Sequence, residues 1–259
     1  MRKQIFPLLS IVTLAFFPNL NPAHDADIKA DISLNTAYRV DDLRWNIAGN
    51  NNNPNVLSEL TWSDLETLQA AVSGRALVDE WFYLRGSFGY GYTFSGDNRD
   101  SDFSGNDRTQ EYSRSSNSAD CGRILIAAIG LGYQFSFGSG TFRLSPLIGY
   151  SYNSQDLTLK EGVQVIATPG LTPPAGPIQG LDSTYDASWL GSWLGIDLSS
   201  EISERVTLFG SVEYHWATFD AEADLNLRND LAHPMSLDHD ADGKGLLIAF
   251  GARHKVHGT

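Results

Sequence analysis

The chain has 259 residues, with 18 Lys and Arg against 31 Asp and Glu, for a formal net charge of −13. That length supports one large domain, and the acidic balance excludes the electrostatic footprint of a nucleic-acid-binding protein. A mean hydropathy of −0.22 excludes a bundle of transmembrane helices, each of which needs about 20 predominantly apolar residues.

The first residues have the pattern of a secretory signal. Met1-Arg-Lys-Gln is a basic head, and Ile5 to Phe17 is an apolar stretch too short to cross a bilayer as a helix. Cleavage after Ala23 or Ala26 is expected, which makes residues 1–26 a signal peptide and 27–259 the mature domain. The single Cys121 fits an exported protein without disulfides, and it reads as a passive thiol where a loop enters a strand.

From there the chain alternates with a period of two, the strand signature. Ile28, Ala30, Ile32, Leu34, Thr36 and Tyr38 oppose Lys29, Asp31, Ser33, Asn35 and Arg39. A loop from about Asp41 to Asn55 leads to a second strand, roughly Val56 to Val72, with a bulge expected near Ser63-Asp64. A short turn near Ser73 to Asp79 precedes the third strand, where Leu84, Gly86, Phe88, Tyr90, Tyr92 and Phe94 share a face. A long polar loop, Ser95 to Gly122, leads to Leu125, Ala127, Ile129, Leu131, Tyr133 and Phe135. A tight turn at Ser136 to Gly140 starts a fifth strand with Phe142, Leu144, Pro146, Ile148, Tyr150 and Tyr152 outward. After a loop from about Asn153 to Asp182, strands six and seven form the hairpin Leu190 to Trp216, whose polar face carries Asp197, Glu213 and His215. A last loop, Phe219 to Lys244, precedes strand eight, with Leu246, Ile248, Phe250 and Ala252 on one face.

The connections alternate long, short, long through the whole chain. Outer-membrane barrels sort their loops this way, with short periplasmic turns and long outer loops, and lipid demands a sheet whose backbone groups are all paired. The expected fold is an all-β, antiparallel, transmembrane up-and-down β-barrel with eight visible strands. The expected location is the outer membrane of a Gram-negative cell after signal-peptide export. Its expected partners are outer-membrane lipid, lipopolysaccharide and the barrel-assembly machinery, with no nucleic acid.

Several segments resemble the omptin family, ten-stranded outer-membrane proteases that use an aspartate pair and an Asp-His pair. They are Asn55-Val-Leu-Ser-Glu-Leu-Thr-Trp62, Leu84 to Phe94 with the following Gly-Asp-Asn-Arg-Asp-Ser-Asp102, Trp193-Leu-Gly-Ile-Asp-Leu198 and Phe209 to Trp216. The match covers eight of ten strands, and Lys255-Val-His-Gly-Thr259 lacks the usual terminal aromatic; either the eight strands close as they stand, or the ten-strand topology lacks a final pair at the C-terminus. The chain is also similar to outer-membrane proteins of the Protochlamydia outer membrane protein type. That likeness rests on Leu225-Asn-Leu-Arg-Asn-Asp-Leu-Ala-His-Pro234 and Asp238-His-Asp-Ala-Asp-Gly243.

The omptin resemblance implies catalytic roles for Asp100 and Asp102, since two close carboxylates can share a proton and position a water. The stretch that should hold the Asp-x-His pair, Thr218 to Asn226, has Asp220 and Asp224 but no histidine. His233, or His239, would have to serve instead. The Tyr-x-Glu-x-Arg lipid-A contact of omptins is also unmatched at Tyr150 to Ser154. Asp238, Asp240 and Asp242 have the D-x-D-x-D-G start of a calcium loop, but Ala249 stands where its bidentate Glu belongs. Glu213 and His215 form a candidate lumen acid-base pair, with Arg85, Arg143 and Arg253 as inward-facing ion-pair partners. No cofactor is implied, apart from a weak calcium signal. The leading reading is a non-enzymatic surface or structural barrel whose acidic outer loops contact ligands. The alternatives are a divergent omptin-like aspartyl endoprotease and a cation-binding surface protein. With eight to ten strands, side chains nearly fill the interior, so a wide porin-like pore is not expected.

Overall fold

Alternation of apolar and polar side chains puts one face of a strand toward lipid and the other toward a lumen; the structure, a computed structural model, describes residues 8–16 and 27–255, and the middle stretches of its strands from residue 28 onward follow that rule. The strands are β1 (Leu8–Phe16), β2 (Ile28–Ile47), β3 (Ser58–Val78), β4 (Phe82–Gly105), β5 (Thr109–Ser118) and β6 (Arg123–Tyr133). They continue with β7 (Phe135–Phe137), β8 (Phe142–Ile166), β9 (Gly176–Pro177), β10 (Asp182–Ser203), β11 (Val206–Asp224) and β12 (Leu237–His254). Among the described residues there is no α-helix. The expected cleavage points Ala23 and Ala26 lie outside the described residues.

All strands join one sheet, and every neighbouring pair is antiparallel. β5 and β6 run one after the other down a single stave, because β4 pairs with β5 through its upper part and with β6 through its lower part. β2, β3, β4, the β5–β6 stave, β8, β10, β11 and β12 are therefore the eight expected staves in an up-and-down order. β1 adds along the free edge of β2. The expected bulge is present: the β3–β4 register shifts between Ser63 and Glu66, and Asp64 sits at φ 53°.

The staves run longer than the sequence suggests. A tilted strand crosses a bilayer in about 9–11 residues, yet β8 has 25 residues and β4 has 24. The expected loop Ser95–Gly122 is mostly strand: β4 continues to Gly105, turns at Asn106–Arg108 and returns as β5. The same holds for much of Asn153–Asp182 and Phe219–Lys244. The expected turn at Ser73–Asp79 is likewise displaced, since β3 runs to Val78. Above the lipid band the outward face turns polar and the inward one is only partly apolar, so the hydrophobic alternation that reveals a strand weakens.

Two layers fill the lumen. In the upper one Leu60, Trp62, Leu65, Leu157, Tyr185 and their neighbours form a buried apolar cluster. Trp62 stands against Tyr185 at 5.0 Å between ring centroids, and Tyr185 stacks on Trp45 at 5.8 Å. In the lower layer Trp193 is fully buried with Tyr83 and Leu147. Its indole lies over Gly130 and Gly149, where any Cβ would stand within 3 Å of the ring. Outside, Phe88, Tyr90, Tyr150, Leu194, Val212 and Ile248 form an exposed apolar band.

Candidate functional site at the barrel mouth

The register of β4 against β3 decides where the aspartate pair points. Asp100 is the cross-strand partner of Leu60, and Asp102 of Ser58. Leu60 belongs to the upper core, so both carboxylates face the lumen above the lipid band. Asp100 is half-buried, and its Oδ1, shut off from solvent, has no hydrogen-bond partner. Burial first, then the neighbouring Asp102 charge, push its pKa up to about 7, against the opposing pull of Arg228 and a hydrogen bond from Ser58. The carboxyl therefore holds its proton up to about pH 7. Tyr112, raised by burial and then by both carboxylates, stands beside the pair. Ser58 and Arg228 lie in stretches singled out for family likeness and Tyr112 in none, and no sequence signal ties the three to Asp100; the fold gathers them.

Arg228 comes from the connection between β11 and β12. That segment is folded, with Arg228 N donating to the Leu225 carbonyl at 2.8 Å and Leu231 N to the Arg228 carbonyl at 2.9 Å. Asn226 ties it to β10: the Asp182 amide and the Ser183 hydroxyl both donate to its Oδ1 at 3.0 Å. The same segment returns His233 to Asp224, with Nδ1 2.6 Å from Oδ1. The Asp-His pair that the strand-seven region lacks in sequence is thus formed across nine residues. The pair is partly solvent-exposed. His239 turns the other way, into the lumen, with its ring 4.5 Å from that of Trp45 and its Nδ1 3.3 Å from the Tyr185 hydroxyl.

The three aspartates of the calcium-like motif do not converge. Asp238, Asp240 and Asp242 lie at alternate positions of β12, opposite Glu222, Asp220 and Thr218. An ion needs ligands wrapped around it by a turn, whereas alternate residues of a strand stand about 7 Å apart in a row. Among the described residues no group of three or more His, Cys, Asp or Glu side chains is placed to hold a metal ion.

In the lower layer, against Trp193, Glu213 and His215 are an acid-base pair at 3.0 Å. His215 Nδ1 is 3.3 Å from the Ser151 hydroxyl. Arg85 bridges Glu213 at 2.5 Å and Asp197 at 2.8 Å, and Tyr83 donates to Asp197 at 3.0 Å. The chain of contacts spans β4, β8, β10 and β11 and satisfies a cross-lumen ion pair. Arg253 approaches Asp31 at 4.0 Å, whereas Arg143 pairs with Glu201 at the exposed lower end.

The chain matches the family described as Protochlamydia outer membrane protein over residues 33–258. Comparison with curated proteins gives no match.

Proposed function

The chain belongs to the Protochlamydia outer membrane protein family, and on that premise we propose that it is a plugged surface barrel whose acidic outer mouth contacts ligands without conducting them. The observation that carries this reading is the fully buried Trp62 and Trp193 at two levels of the lumen, with the Arg85 network at the lower one. Side chains occupy the path a solute would take, while polar groups collect at the outer end. The proposal includes export directed by residues 1–26, insertion by the barrel-assembly machinery, and contact of the exposed aromatic band with outer-membrane lipid and lipopolysaccharide. Liposome swelling tests it. Vesicles carrying the folded protein should swell in small sugars no faster than empty vesicles, and porin-like swelling would sink the reading.

A second reading is a divergent omptin-like endopeptidase. It is supported by Asp100 and Asp102 facing the mouth and by the contact of His233 with Asp224. A carboxylate that holds an imidazole in one tautomer prepares it as a general base. Cleavage of a quenched fluorescent peptide library by the folded protein, lost in both Asp100→Asn and His233→Ala, is the expected result. Cleavage that survives both substitutions excludes this assignment.

A further inference from the structure

The sheet has two open ends. Its order runs from β1 through β2 to β12, and β12 has a partner only in β11. An unpaired edge cannot persist in hydrocarbon, where each orphaned backbone group costs several kcal/mol. The side chains of β12 show the same opening. Phe250 is 92% exposed, and Leu247, on the lumen side opposite Glu213, is 44% exposed.

β2 and β12 nonetheless touch at two heights. Near the lower end Arg253 reaches Asp31 at 4.0 Å. At the upper end the His239 ring lies 4.5 Å from that of Trp45. All four side chains point into the lumen. The step from Asp31 up to Trp45 is fourteen residues on β2, and the step from Arg253 to His239 is fourteen residues on β12. Both contacts therefore belong to one antiparallel register. Between them, among the described residues, β1 occupies the β2 edge, from Phe16 opposite Ile32 to Leu8 opposite Arg39.

We infer that β1 is a stand-in stave, and that the exported protein closes its barrel by direct pairing of β2 with β12 in the register that sets Ala37 opposite Leu247. This rests on residues 1–26 leaving the exported chain. The same register places Leu34 opposite Phe250, Thr36 opposite Ile248 and Tyr38 opposite Leu246. Lipid-facing residues thus meet lipid-facing ones, and Leu247 is covered. While β1 is present, the seam is wedged open between its two contact points.

Disulfide trapping tests this. The full-length gene is expressed for export with Cys121→Ser and the pair Ala37→Cys with Leu247→Cys, and intact mass shows whether residues 1–26 are gone. Opposed residues on antiparallel neighbours have Cβ atoms about 4.5–5.5 Å apart, near disulfide range, and those one inward position off are about 7–8 Å apart. The expected result is an intramolecular disulfide in the exported protein. None should form in the offset pair Ala37→Cys with Ala249→Cys, nor in the full-length chain refolded in detergent with its N-terminus intact. A disulfide in the offset pair, between two chains or in the uncleaved chain, or no disulfide in the exported Ala37→Cys with Leu247→Cys protein, overturns the inference. If the cysteines prevent folding, amide exchange of the unsubstituted exported protein decides. Alternate amides from Leu246 to Ala252 should exchange about 100-fold or more slowly than free edge amides, and uniformly fast exchange overturns closure.

Discussion

His233 Nδ1 lies 2.6 Å from Asp224 Oδ1, joining the two ends of the segment that carries Arg228 to the mouth. The pair is partly exposed, and exposed ion pairs contribute about 0–1 kcal/mol. His233→Ala should therefore leave the heat-modifiable gel mobility of the barrel nearly unchanged. Under the endopeptidase reading it should still lower cleavage by about 10²–10⁴-fold, the usual contribution of a positioned base. A large loss of thermal stability in this variant would show that the contact holds the fold together.

Asp100 gives the barrel a stability that falls with rising pH. Burial and Asp102 hold its folded pKa up at about 7, above an unfolded value near 3.9. The native state then binds more protons than the unfolded chain between those values, so stability falls as pH rises through roughly 4 to 7 and stays low above that window. Asp100→Asn removes the dependence, because an amide needs no proton to sit in that environment. In a heating series read by gel mobility, the substitution should raise the midpoint at pH 8 and have little effect at pH 4. An equal effect at both pH values would mean that Asp100 does not titrate in this range.

Glu59 works in the opposite direction. Burial pushes its pKa up, but the hydrogen bonds from Arg108 and the charges of Arg108, Arg44 and Arg99 outweigh it, and the net shift is downward. Its contribution is present above the unfolded carboxyl value, near 4.3, and is lost as pH falls through the lower folded value. Arg108 binds both Glu59 oxygens, with Nη2 2.5 Å from Oε2, and so holds the Asn106–Arg108 turn against β3. Glu59→Gln should cost about 1–3 kcal/mol at neutral pH and open the turn to proteolysis. The wild-type turn should become equally sensitive only in acid.

How much of this was legible in the sequence depends on where lipid lies. From Leu84 to Phe94 one face meets hydrocarbon and the other the lumen, so the residues name their own sides. Past Ser95 the strand continues for ten residues with Asp, Asn, Arg and Ser on both faces, and nothing in their order distinguishes strand from loop. The aspartate pair was picked out by its resemblance to the omptin Asp-x-Asp, in a stretch expected to be loop; on β4 the one intervening residue sets Asp100 and Asp102 on the same side of the strand. Arg228 and Tyr112 were not, because turns far apart in the chain bring them there. Asp238, Asp240 and Asp242 stand differently from a calcium loop for a related reason: the strand extends where a loop was expected, and extension sets the three carboxylates in a row instead of around a point.

The lower plug offers a test in which two similar substitutions should behave differently. A Cβ on Gly130 would stand 2.5 Å from Trp193 Cη2, with only side-chain atoms close by, whereas a Cβ on Gly149 would also meet the Ile129 carbonyl oxygen at 2.4 Å. Overfilling a packed core costs about 1–3 kcal/mol, and emptying one about 2–5 kcal/mol. Gly130→Ala and Trp193→Leu should each lower the thermal midpoint. Combined, they should be strongly non-additive, because the smaller side chain leaves room for the added methyl. Gly149→Ala should gain much less from the same Trp193→Leu change, since the clash with a backbone oxygen of the neighbouring stave remains. Equal rescue of both glycine substitutions would mean that the indole alone sets the spacing there and that the β6–β8 backbone yields easily.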